Sequence, residues 1–185
     1  MGKELKNYRG FTLIELMMTL VIAGILLTVA VPSFSEMIKN SRLTTEINEL
    51  VTILNYGRTE AIKRGVDVTV CKSNTGTSCA GNWEDGWVAF VDLNDDGAID
   101  TGETILRIHG ALSTGNTLAF PRNRISYSAQ GFAVGFTGTF VLCDDRGAPE
   151  AKGEVISNTG RARKAVDSDT DGTVEDGSGN NVTCP

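Results

Sequence analysis

The sequence predicts an α+β protein in which one long N-terminal helix precedes a small β-rich domain. Three observations carry this expectation. Residues 11–31 form an apolar run with a single charge. Residues 33–64 repeat apolar side chains at spacings of three and four. From Val66 onward, short β-branched and aromatic runs alternate with Gly, Asn and Asp turns. The 185 residues suffice for one ordinary globular domain, and 21 Gly against 4 Pro suit a domain of tight turns.

The run "FTLIELMMTLVIAGILLTVAV" (11–31) is long enough to cross a bilayer as a helix. Lys3, Lys6 and Arg9 precede it and predict a cytoplasmic N-terminus, with the remaining chain across the inner membrane. Pro32, Ser33 and Phe34 follow the run, so no small-residue signal-peptide site lies there. Glu15 is its one charge. It either lies near enough to the membrane surface to reach water or meets a cation, and cleavage after Gly10 would supply one as the new amine of Phe11 in a neighbouring subunit.

The amphipathic continuation places Leu43, Ile47, Leu50, Val51, Leu54 and Ala61 on one stripe. Lys63, Arg64 and Gly65 form a C-terminal signal. One helix over 11–64, about 80 Å long, is expected, with bends at Gly24 and Pro32. Residues 1–10 precede it and 65–185 form the β-rich domain. Candidate strands are 66–71, 86–92, 104–110, 124–129, 138–143, 153–158 and 161–166. Trp83 and Trp87 are expected in the core.

Cys71 and Cys79 flank a short Gly- and Ser-containing turn, and Cys184 is penultimate. Four cysteines permit three connectivities. Cys71–Cys79 with Cys143–Cys184 is the expected one, in an oxidising compartment.

"RGFTLIEL" (9–16) resembles the leader junction of type IV pilins and type II secretion pseudopilins. The resemblance implies that residues 1–10 are a leader. A prepilin peptidase would cut after Gly10 and methylate Phe11, and Glu15 would guide docking into a filament. "NWEDGWVAFVDLNDDGAIDTGETILR" (82–107) resembles the signature of the GspH/FimT branch. That resemblance covers nearly the whole chain and implies the type IV pilin fold, a long helix on a β-sandwich-like antiparallel domain. Implied partners are other major and minor pilins, the prepilin peptidase, and the inner membrane before export into an extracellular pilus.

"DLNDDGAIDTGE" (92–103) fits the calcium-loop template of alternate oxygen ligands around a turn glycine: Asp92, Asn94, Asp96, Gly97, Asp100 and Glu103. A turn-rich hairpin tip accounts for the same residues. "DSDTDGTVED" (167–176) repeats the first half with Asp167, Asp169, Asp171 and Gly172, but the closing position is Ser178. No cofactor is required; Ca²⁺ is the one candidate.

The formal net charge of -6 and pI near 4.8 exclude a protein that coats nucleic acid through bulk charge. Any DNA contact must be local, and "NTGRARKAV" (158–166) offers the place. A hairpin turning at Asn158 and Gly160 would send Arg161 and Arg163 to one face and Lys164 to the other. "GRARK" also resembles the GRxR stretch of FimT-type minor pilins linked to DNA capture in natural transformation. The resemblance carries Gly160, Arg161, Arg163 and Lys164 into a DNA-contact set. The competing reading pairs the arginines with Asp167 and Asp169.

Enzyme chemistry is not expected. His109 is the single imidazole, read as a surface residue on a strand end. Nucleophile-elbow, HExxH and phosphate-loop sequences are absent. The expected function is that of a minor type IV pilin at or near the pilus tip that supports assembly and binds DNA. The alternative is a type II secretion minor pseudopilin without DNA binding.

Overall fold

The computed structural model describes residues 10–185; Met1 to Arg9, and with them nearly all of the expected leader, lie outside the described residues. One helix, α1, runs Leu13–Arg64. It starts two residues later than the apolar run because Thr12 stops the chain first: its Oγ1 accepts the Glu15 amide at 3.3 Å. The chain divides into two compact units, 1–39 and Asn40–Pro185.

In the first unit every apolar side chain described between Phe11 and Ile38 is exposed, Phe11 by 85%. A helix apolar on all sides is stable only against lipid or other chains. α1 is the one helix among the described residues long and apolar enough to cross a membrane. Pro32 lies inside it and brings no N–H for the Thr28 carbonyl.

In the second unit the helix is one-sided. Leu43, Ile47, Leu50, Ile53, Leu54 and Ala61 are buried at helical spacing. Gly57 permits close approach, since a Cβ there would stand 3.1 Å from Val70. The Gly65 amide closes the end on the Ala61 carbonyl at 2.9 Å with φ 69°.

Eight strands follow: β1 Val68–Lys72, β2 Trp87–Val91, β3 Ile105–His109, β4 Thr117–Ala119, β5 Arg124–Tyr127, β6 Gly138–Cys143, β7 Lys152–Ile156 and β8 Ala162–Lys164. They form two antiparallel four-stranded sheets, ordered β3-β2-β1-β5 and β4-β6-β7-β8. The helix and the inner faces of both sheets share one core. Val68, Val70, Ile125 and Tyr127 come from the first sheet; Phe140, Leu142 and Ile156 come from the second. Trp83 and Trp87 are in that core, 3% and 0% exposed. Trp83 stands edge-on to Phe140 at 4.9 Å, and its Nε1 donates to the Arg122 carbonyl.

The bridges are Cys71–Cys79 and Cys143–Cys184. The second joins the end of β6 to the C-terminal segment, which covers the outer face of the second sheet through Val174 and Val182. His109 departs from its expectation as a surface residue. It is half-buried, stacked on Trp87 at 4.1 Å, with Nε2 3.0 Å from Glu49. The indole plane supplies a flat apolar face that an imidazole covers well.

Candidate DNA-contact hairpin and acidic loops

β7 and β8 pair as Glu154 with Lys164, Val155 with Arg163, and Ile156 with Ala162. The turn between them is closed by two amides: Gly160 donates to the Ser157 carbonyl at 2.9 Å, and Ser157 to the Arg161 carbonyl at 3.1 Å. Against the expected 153–158 and 161–166, β7 starts one residue earlier and ends two earlier at the turn, while β8 starts one later and ends two earlier, where the C-terminal segment takes over: Glu175 donates its amide to the Val166 carbonyl.

Arg161, Arg163 and Lys164 are exposed. Among the described residues none of the three has a carboxylate within 4 Å. The pairing with Asp167 and Asp169 is therefore not how those aspartates are used. Asp167 Oδ2 accepts the Gly172 amide at 2.9 Å, Asp169 Oδ1 the Asp171 amide at 3.2 Å, and Asp171 Oδ1 the Thr173 amide at 2.9 Å. Each carboxylate caps its own turn.

The alternation of β8 separates the cations. Arg163 lines an open cleft of about 740 Å³ together with Thr137, Ser157, Asn158, Asp176 and Asn181. Lys164 lines a different groove with Glu154 and the helix residues Thr44, Asn48 and Val51. Lys164 takes the face the strand period predicts, and Gly160 supplies geometry instead of contact. Lys164 is on the opposite face from Arg163. Gly160 is buried, so a duplex cannot touch it; a Cβ there would strike the Gly131 carbonyl. Its place is fixed by Arg58, whose Nε donates to the same carbonyl at 2.8 Å. Gly160 positions the arginines.

Within the hairpin, on β7, Glu154 is 6% exposed. Desolvation raises its pKa above the usual carboxylate range, and the charges of Lys164 and Arg163 offset part of that. Arg146 belongs elsewhere: it pairs with Asp144 at 2.6 Å and Glu150 at 3.4 Å.

The two acidic loops share a pattern. In 92–103, Asp92 Oδ2 accepts the Gly97 amide at 3.0 Å, as Asp167 does from Gly172. Asn94 donates through Nδ2 to Asp96 and Asp100, both at 3.1 Å. Glu103 accepts the Leu93 and Asp100 amides at 2.7 and 2.9 Å. In 167–176, one ligand oxygen each from Asp167, Asp169 and Glu175 lie within 4.8 Å of one another. Glu175 was missed in the sequence, where the closing carboxylate was sought three residues later at Ser178. Its signal was a buried acid at the ninth loop position, held by the Ser168 and Asp169 amides.

At the other end of the chain Gly10 and Phe11 are exposed ahead of the helix, and Glu15 lies in its first turn. The prokaryotic N-terminal methylation motif matches residues 5–31. The family described as Type II transport protein GspH matches residues 46–172. The chain belongs to the GspH family. Its pilin character is equally plain from a relative, the pilin-like protein PilA1 of Thermus thermophilus. That protein is 31% identical over 161 residues, covering 85% of this chain and 92% of its own. The fold is also that of a type IV minor pilin from Pseudomonas aeruginosa, FimU. One crystal form aligns with TM-score 0.56 and 22% identity over 69% of this chain and 91% of FimU. A second aligns with TM-score 0.54 and 21% identity over 66% and 92%. GspH-family chains are structural subunits and not enzymes. The methylation motif with its exposed apolar helix is that of a membrane-anchored pilin that assembles with other pilins.

Proposed function

We propose that this GspH-family chain is a minor pilin of a type IV pilus, placed at or near the tip, where it supports assembly and binds extracellular DNA during uptake. Before assembly it is held in the inner membrane with its N-terminus cytoplasmic and residues 65–185 periplasmic. Prepilin peptidase then cuts after Gly10 and methylates Phe11.

One observation carries the DNA contact: Arg161 and Arg163 stand exposed, Arg163 beside a cleft, with no carboxylate within 4 Å of either among the described residues. Alternate positions of an extended chain are about 6.6 Å apart. Alternate phosphates along a strand are separated by a comparable rise, about two 3.4 Å steps. A guanidinium fork grips phosphate through paired N–H groups. Only two or so phosphates are engaged, so affinity is weak and falls with salt at a log–log slope of about -2.

The test is a gel shift with the full chain in detergent micelles and duplex DNA at low salt. The wild type is expected to retard the duplex, and Arg161→Gln with Arg163→Gln to abolish the shift. Equal retardation by wild type and double variant sinks the DNA contact. The family description supports a second reading, a minor pseudopilin of type II secretion. On that reading the wild type itself leaves the duplex unshifted.

A further inference from the structure

We propose that loop 92–103 is a Ca²⁺ site whose innermost ligand is Asp92. The decisive residue lies beneath the loop. Asp92 is 1% exposed, at the end of β2. Its Oδ2 is fully engaged, accepting the Thr69 hydroxyl at 2.8 Å and the Gly97 amide at 3.0 Å. Its Oδ1 is shut off from solvent and, among the described residues, has no hydrogen-bond partner. The Gly97 bond holds the carboxylate against the loop, with Oδ1 one carboxylate width from the bonded Oδ2.

Burying an ionised oxygen without a donor is strongly unfavourable, and proteins relieve it either by protonating the group or by bringing a cation to it. No nearby side chain brings one. Thr69 is committed to Oδ2 and to Ser126, 2.6 Å away. Arg124 is the cation beside the loop, and it donates to the Asp96 carbonyl from outside. The loop itself adds Asp95, Asp96, Asp100 and Glu103 and no Lys or Arg. A divalent cation answers both the open lone pairs and the summed charge.

Two further acids of the loop meet at one side chain. Asp96 Oδ2 and Asp100 Oδ2 both lie 3.1 Å from the Asn94 side-chain nitrogen. A half-turn of that amide puts Oδ1 there in its place and makes Asn94 a ligand. Hard carboxylate and carbonyl oxygens at alternate residues suit Ca²⁺, which accepts six to eight of them flexibly, and Mg²⁺ poorly. Glu103 spends its oxygens on the Leu93 and Asp100 amides. With the closing carboxylate so occupied, water completes the shell, and the dissociation constant falls in the extracellular range of about 10⁻⁴–10⁻³ M.

The C-terminal loop is the rival. It gathers Asp167, Asp169 and Glu175, and Asp167 Oδ1 likewise lacks a hydrogen-bond partner among the described residues, but its aspartates lie nearer the surface and Glu175 is held by the Ser168 and Asp169 amides. The experiment separates the two. The full chain in detergent, with its disulfides intact, is titrated with CaCl₂ by calorimetry in excess Mg²⁺. Its melting temperature is read in parallel. Asp96→Asn with Asp100→Asn, both at exposed positions, is expected to weaken Ca²⁺ binding at least tenfold. The same pair is expected to leave the metal-free melting temperature in place and remove its rise with Ca²⁺. Asp169→Asn is expected to keep the binding. Two ions in the wild type, one of them lost in the 96/100 variant, support the site equally. Wild-type chain that takes up no Ca²⁺ at about 10 mM overturns it. So does a 96/100 variant that binds normally, or loss confined to Asp169→Asn.

Discussion

At position 160 the backbone has φ 72°, and the Gly131 carbonyl occupies the space a Cβ would need, with the Tyr127 ring 3.2 Å away. Any side chain there must move the β7–β8 turn or the segment around Gly131. Gly160→Ala is therefore expected to cost about 1–3 kcal/mol in urea unfolding. It is also expected to weaken DNA retardation although both arginines remain. Unchanged stability would show that the turn can relax. A glycine in a sequence motif thus acts through geometry, while its neighbours supply the charge. The sequence could not separate those roles, because burial of one backbone position depends on residues 58, 127 and 131.

The β7–β8 pair is the smallest element with its own electrostatics. Glu154 sits in it with its pKa raised by burial, so the folded chain holds a proton that the unfolded chain releases near the ordinary carboxylate value. The folded state binds more protons in that window, so stability falls as pH rises through it. Glu154→Gln is expected to melt a few degrees above the wild type at about pH 8, with the advantage gone below about pH 4. An equal difference at both pH values would contradict the assignment. At this scale much was legible. The helix, the two bridges, the buried tryptophans and seven strand positions follow from periodicity, spacing and turn residues. β4 does not. Its three residues, Thr117–Ala119, are too few to show a strand period in sequence and become a strand by pairing with β6. The separation of Arg163 from Lys164 was legible from the strand period. Its consequence, a cleft on one side and a helix groove on the other, depended on which layer covers each face.

Over the whole molecule two environments meet in one chain. Residues 11–38 expose apolar side chains on all sides, while Asn40–Pro185 has a closed core and two disulfides. Glu15 belongs to the first environment, and its proposed partner is another chain's terminal amine. Glu15→Ala is expected to leave the near-ultraviolet dichroism of the domain unchanged and to lower recovery of the protein in sheared pili severalfold. Normal recovery would remove the filament role from Glu15.

The Cys143–Cys184 bridge has a mechanical consequence. β8 is a short edge strand, and a ligand pulled away from Arg163 would peel it like a zipper. The load leaves that residue by two routes, back through β7 and forward to Cys184, which is fastened to the end of β6. The intervening chain is a closed ring of fixed contour, so peeling can lengthen it only until the covalent fastening carries the tension.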